Sequence, residues 1–187
     1  MSGFRIVGSE TLADAGFLVL REHAVAAPDG ETLRRHVVHH PGAVVVVPVE
    51  EDRTTVRLLR QYRVAAGGDL LEVPAGKRDV PGEAPETTAG RELHEELGCH
   101  PVTLVRLAEF YNSPGFCDEY THLFVAVGLT DDDGPRAVTA EEAAMTVERV
   151  PIASVDELIA TRALVDAKSI IGLTLARRYL AGDYAGM

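Results

Sequence analysis

Hydrophobic residues in the first half of the chain come in short runs and alternations rather than at helical spacing. Residues 17–26 and 32–40 are rich in Val and Leu, and Pro28-Asp29-Gly30 separates them as a turn signal. Within 32–40, Leu33, Arg35, Val37 and His39 share one face, and Arg34, His36 and Val38 the other. Neither face is cleanly apolar, so this ribbon should pack on something outside itself. After Pro41-Gly42, residues 43–49 and 55–62 read as strands joined by Glu50-Glu51-Asp52. Residues 70–74 form a short strand. A helix is predicted over 85–97, with Pro85 at its start and Gly98 as its stop. Strands follow at 102–111, 120–127 and 146–150, with an acidic surface loop at 130–134. Ser154 and Glu157 predict a capping box for a helix running towards Thr161. A last helix spans 166–180. Most strand connections are too short for parallel crossovers, which makes the class α+β, or a mixed sheet with helices packed against it. The N-terminal ribbon is a candidate small subdomain.

Composition narrows the function classes. No apolar run approaches the roughly 18 residues needed to span a bilayer. The first ten residues, MSGFRIVGSE, lack the basic-then-apolar pattern of a secretory signal, so a cytoplasmic location is expected. Two cysteines, Cys99 and Cys117, are too few for a disulfide framework and form no zinc pair; they read as small hydrophobes. The net charge of −11 argues against a nucleic-acid partner. It leaves an anionic small substrate open, because bound cations can reverse the local field. The seven histidines read as structural or surface residues, and the adjacent His39 and His40 would point to opposite faces of a strand. Asp131-Asp132-Asp133-Gly134 lacks the ligand spacing of a calcium loop and reads as a solvated turn.

The most informative stretch is GKRDVPGEAPETTAGRELHEELGC, residues 76–99. On the predicted helix Glu92 and Glu96 are four apart and Glu92 and Glu95 three apart, which puts their side chains on one face. Like charges so placed repel by a few tenths of a kcal/mol per pair, roughly, unless a cation sits among them. Hard cations such as Mg²⁺ take carboxylate oxygens and fill their remaining positions with water and substrate phosphates. Arg91, four before Glu95, can orient a carboxylate by a bidentate contact. Leu93 and Leu97 would face the core, and Glu83 lies on the loop upstream.

This stretch resembles the Nudix box. Glu83, seven residues, then Arg91-Glu92-Leu93-His94-Glu95-Glu96-Leu97-Gly98 match the motif throughout. It departs in two places: six residues rather than five separate Gly76 from Glu83, and Cys99 stands where the motif has Ile, Leu or Val. Pro81-Gly82 supplies a turn to absorb the first, and the second exchanges one small hydrophobe for another. Beyond the box, Arg60-Gln61-Tyr62-Arg63, Leu71-Glu72-Val73-Pro74-Ala75-Gly76, and Ser113-Pro114-Gly115-Phe116 are similar to the ADP-ribose pyrophosphatase branch.

The resemblance implies an α/β/α sandwich with a mixed sheet over residues 42–187 and a small antiparallel sheet over 1–41 that reaches across a homodimer. It implies hydrolysis of ADP-ribose to AMP and ribose 5-phosphate with Mg²⁺, or in some members Mn²⁺. By position, Glu92, Glu96 and the carbonyl of Ala75 would hold metal, Glu95 a second ion, and Arg91 would orient the carboxylates. Arg63 would contact the diphosphate, Glu72 would sit beside the site, and Pro114 and Gly115 would shape its ribose end. The branch places a catalytic glutamate where Glu141-Glu142 lies, and counting back from the last strand favours Glu141. Two alternatives stay open: a hydrolase of another nucleotide sugar such as GDP-mannose, and a non-catalytic domain that senses ADP-ribose.

Overall fold

The structure is a computed structural model and describes residues 3–132, 139 and 143–187. The chain divides into two compact units, one of Met1–Gly42 with Phe110–Thr121, the other of Ala43–Glu109 with His122–Met187.

The larger unit is built on a sheet whose central strand explains the rest. Strand β4 (Ala43–Val49) is buried at every residue, including both faces of its valine run. A strand buried on both faces must be covered from both sides. Helix α1 (Pro85–Leu97) packs on β4 from one side and helix α3 (Ala167–Leu180) from the other. On the α1 side, Val44 and Val46 share a core with Leu59, Ala89, Leu93, Leu97, Cys99 and Phe124. On the α3 side Gly172 allows close approach: a Cβ there would lie 3.0 Å from Val47 and 3.1 Å from Leu123. Strand β10 (Thr146–Pro151), β5 (Thr55–Arg63), β4, β9 (Tyr120–Asp131) and β8 (Cys99–Tyr111) lie in that order. Strand β6 (Gly68–Glu72) pairs with β5, and β7 (Ala75–Lys77) with β4. This is the expected α+β sandwich.

The smaller unit is an antiparallel sheet ordered β1 (Arg5–Asp14), β2 (Val19–Ala26), β3 (Thr32–His39). Residues 110–121 join it through the Val38–Cys117 bridge and through Asp118, which accepts from the His40 amide at 2.8 Å. Strand β1 lies outside the elements predicted from the sequence. Its ladder with β2 shifts register between Ile6 and Gly8 and again between Thr11 and Ala13. Each bulge breaks the two-residue period by which a strand is recognised.

Two other expectations change. The predicted capping box is absent: the Ser154 hydroxyl donates to the Pro151 carbonyl at 2.7 Å, a 3-10 turn occupies Ile152–Ser154, and helix α2 (Val155–Ala160) starts without a side-chain cap. The cap that forms is Asp166 on α3, which accepts from the Ser169 amide at 2.9 Å. The acidic loop predicted at 130–134 begins later than expected, because β9 runs through Gly128 to Asp131, and Asp131 pairs with Arg57.

Candidate active site

The glutamate motif lies on α1 as its spacing requires. Pro85 occupies the first turn, and Gly98 closes the helix at φ 64, its amide donating to the His94 carbonyl at 2.9 Å. Ala89, Leu93 and Leu97 fix the buried face. That orientation turns Glu92 against β7, where Gly76 makes room for it. A Cβ at Gly76 would lie 1.8 Å from Glu92 Cδ and about as close to both carboxylate oxygens, 2.1 and 2.2 Å. The backbone of β7 is therefore in direct contact with the carboxylate. The next residue back contributes too: the Ala75 amide donates to Glu96 Oε2 at 3.2 Å.

Arg91 is the hub of the cluster. Its guanidinium lies 2.9 Å from Glu92, 2.8 Å from Glu95, and 3.6 Å from both Glu83 and Asp79. Glu83 is held in turn by the Thr88 hydroxyl at 2.8 Å. The loop leading to it turns where Pro81-Gly82 was expected to absorb the extra residue, with Gly82 at φ +80. Glu92 is only 7% exposed. Burial pushes its carboxyl up to about 7, with the repulsion of Glu95 adding to it and the attraction of Arg91 opposing it.

A second anchor sits beside the first. Glu72, 2% exposed, accepts from Arg63 at both oxygens, Nε at 2.8 Å and Nη2 at 2.7 Å. This fork holds the Arg63 guanidinium above its ordinary affinity for the proton, and Glu96 adds to the local negative field. The Arg63 Nη1 group stays outside the fork. The strand carrying Glu72 is pinned from α3: the buried Ser169 hydroxyl accepts from the Val73 amide at 2.9 Å and donates to Asp166 at 2.7 Å.

The donor set fits a divalent cation. Four carboxylates, Asp79, Glu83, Glu92 and Glu95, share the one guanidinium of Arg91. One of them is buried with its affinity for protons raised, so a bound cation would gain most of its attraction from the ionised form. The oxygens do not yet converge: Arg91 draws Glu92 and Glu95, while Glu96 rests on the Ala75 amide. Oxygen-only ligands of this kind suit Mg²⁺ or Mn²⁺.

Of the residues singled out in the sequence, Arg63, Glu72, Ala75, Arg91, Glu92, Glu95 and Glu96 all lie in the larger unit: Arg91 meets Glu92 and Glu95, the Ala75 amide meets Glu96, and Arg63 pairs with Glu72 within the field of Glu96. Pro114 and Gly115 lie in the smaller unit on an exposed turn, where the Phe116 and Cys117 amides donate to the Ser113 carbonyl. Glu141 and Glu142 lie outside the described residues. Sequence reasoning passed over Asp79, Thr88 and the Asp166–Ser169 clamp. Only the last had a readable signal, an Asp three residues before a Ser at a helix start.

The family model described as NUDIX domain matches residues 39–171. The chain is 36% identical over 179 residues to an ADP-ribose pyrophosphatase of Mycobacterium tuberculosis, covering 96% of this chain and 86% of that protein. It is 33% identical over 165 residues to an ADP-ribose pyrophosphatase of Bacillus subtilis, covering 88% of each. A solved ADP compounds hydrolase superposes with a TM-score of 0.80 at 25% identity, over 96% of this chain and 95% of that one.

Proposed function

Because this chain belongs to the Nudix family and is one of its diphosphate hydrolases, we propose that its substrate is ADP-ribose, cleaved by water to AMP and ribose 5-phosphate. The observation that carries this is the carboxylate cluster itself: Glu92 seated on Gly76, Glu96 on Ala75 and the Arg63–Glu72 fork, joined in one site. The similarity to two ADP-ribose pyrophosphatases over most of their length supports the choice of substrate.

A diphosphate resists water because its anionic oxygens repel the nucleophile. A bound divalent cation, Mg²⁺ or Mn²⁺, would neutralise those oxygens and lower the pKa of the attacking water. Glu92, Glu96 and the Ala75 carbonyl would hold it, and Glu95 would serve a second ion. Arg91 would keep Glu92 and Glu95 oriented. Arg63, fixed by Glu72, would offer its Nη1 group to the diphosphate. One phosphorus–oxygen bond forms to water and one breaks to the leaving phosphate. The water's proton passes to a carboxylate not engaged by metal, which we assign to Glu141.

The deciding measurement is a substrate panel with Mg²⁺, read as phosphate released by a coupled phosphatase. ADP-ribose should be turned over fastest. Much faster turnover of GDP-mannose would overturn the substrate and leave the family standing.

The base is tested separately. General-base removal costs on the order of 10²- to 10⁴-fold in rate. Glu141→Gln should fall in that range with little change in binding of a non-hydrolysable ADP-ribose analogue, and Glu142→Gln should be much milder. A crippled Glu142→Gln beside an active Glu141→Gln would move the base by one residue.

We also propose a homodimer formed through the smaller unit. Strand β1 is exposed along its whole length and is a sheet edge carrying Ile6, Val7 and Leu12, with Phe4 and Phe17 exposed near its ends. A long apolar edge of this kind calls for a covering partner. Light scattering should report twice the 20.1 kDa chain mass. A monomer at micromolar concentration would refute it. Among the described residues no helix is long and apolar enough to cross a membrane. We propose separately that the enzyme is cytoplasmic.

A further inference from the structure

On the far side of α1 from the glutamates, three other ligand-bearing side chains meet. His94 is in the last turn of α1, His100 is at the start of β8, and Asp132 follows the end of β9. Two residues beyond Glu92 is about 200° around a helix, so His94 points away from the carboxylate cluster. Their ligand atoms lie within 4.8 Å of one another.

The spacing fits a long hydrogen bond between His100 and Asp132 and, equally, a shared ion. His94 Nε2 and His100 Nε2 each lie 3.3 Å from the same oxygen, Asp132 Oδ2. A charge-assisted N–H···O⁻ bond is shorter, about 2.7–2.9 Å. Two ligands of a tetrahedral ion with bonds of about 2.0–2.1 Å sit roughly 3.3–3.4 Å apart. The backbone beneath them is tied together. The Asp132 amide donates to the Gly98 carbonyl at 2.7 Å, and the Gly98 amide donates to the His94 carbonyl at 2.9 Å. The two imidazoles are stacked at 5.0 Å and 9°. Near-parallel rings aim their lone pairs alike, so closing on one ion requires one ring to turn. His100, with 55% of its side chain exposed, has room to do so.

We propose that His94, His100 and Asp132 form a second metal site, separate from the hydrolytic one. Two imidazole nitrogens and one carboxylate select a borderline transition ion of the Zn²⁺ class over Mg²⁺, with water as the fourth ligand. The ion staples the C-terminal turn of the box helix to the end of β9.

The test uses the full-length enzyme with excess Mg²⁺, which keeps the glutamate site filled with a hard ion. Calorimetric titration with Zn²⁺ should show one further site, Zn²⁺ should raise the melting temperature, and Co²⁺ in its place should give the visible absorption of a tetrahedral ion. His100→Gln and Asp132→Asn replace exposed side chains and should leave the fold and the Mg²⁺-supported rate alone. Each should weaken Zn²⁺ binding by at least about tenfold and abolish the melting shift. Glu92→Gln should retain Zn²⁺ binding, which keeps this result independent of the proposed hydrolysis. Equal Zn²⁺ affinity in wild type, His100→Gln and Asp132→Asn would overturn the site. Loss of binding in Glu92→Gln alone would do the same by placing the ion among the glutamates.

Discussion

Glu92→Gln and Glu96→Gln should each reduce Mg²⁺-supported hydrolysis to background while the protein stays folded. Gln keeps the shape of Glu and removes the charge that a hard cation needs. The metal-free proteins should also differ in a way that activity does not report. The Glu92 carboxyl is raised to about 7 in the folded chain, from an ordinary value of 4.5. Below pH 4.5 it is protonated in both folded and unfolded states and costs nothing. As pH rises from 4.5 to 7 the unfolded chain ionises while the folded one retains its proton, so stability falls across this window and levels off above it. In chelator, the wild-type melting temperature should therefore drop from pH 4.5 to 7 by more than that of Glu92→Gln, and the variant should be the more stable protein above pH 7. Added Mg²⁺ should raise the wild-type melting temperature and leave the variant nearly unmoved. Full activity in either variant at saturating Mg²⁺ would sink the ligand assignment. Parallel pH profiles for wild type and Glu92→Gln would remove the burial account of Glu92.

How legible the molecule was in its sequence depended on whether a feature is local. The helix from Pro85 to Leu97 has its start, stop and buried stripe written within thirteen residues, and it formed at those bounds. The valine run of β4 is legible as a strand for the same reason, and it is the structure that buries it on both faces. Strand β1 was hidden because two bulges put Ile6 and Val7, and then Leu12, out of alternation, and only the partner strand reveals the ladder. The Ser154 capping box failed because a competing acceptor, the Pro151 carbonyl, was three residues away and took the hydroxyl.

In the site, the same division holds. Glutamates three and four apart on a helix are legible anywhere. That Arg91 would be shared among Asp79, Glu83, Glu92 and Glu95 is a matter of how the loop after β7 returns to the helix, and spacing alone does not say so. The pairing of Arg63 with Glu72 follows from neither motif nor register: the β5–β6 ladder sets Arg63 opposite Gly68 and Leu59 opposite Glu72, and the arginine reaches back along the shared face to the carboxylate. His94 on α1, His100 on β8 and Asp132 just past β9 were read singly as surface histidines and a solvated turn because nothing in the sequence puts them together.

Gly76→Ala should be as damaging to hydrolysis as losing a ligand, although it removes no functional group. Gly76 does not have a left-handed backbone, so conformational freedom is not what requires glycine there. Space is the requirement: the added methyl would lie 1.8 Å from Glu92 Cδ. Something must move, and the two sides differ in stiffness. The backbone of β7 is paired to β4, with Val44 opposite Gly76, whereas the Glu92 carboxylate is the far end of a flexible side chain. The carboxylate should therefore yield and the sheet should stay. The expected signature is hydrolysis near background, lost stabilisation by Mg²⁺, and a melting temperature in chelator within a few degrees of wild type. Displacement also relieves the burial that raises the Glu92 carboxyl, so the pH dependence of stability between 4.5 and 7 should shrink towards that of Glu92→Gln. The double variant Gly76→Ala/Glu92→Gln should be no worse in kcat/KM than either single one, because both remove the same carboxylate from the same place. Additive losses would mean that Gly76 acts on something other than Glu92. A Gly76→Ala protein with normal activity would show that the carboxylate works from a position the β7 backbone does not define.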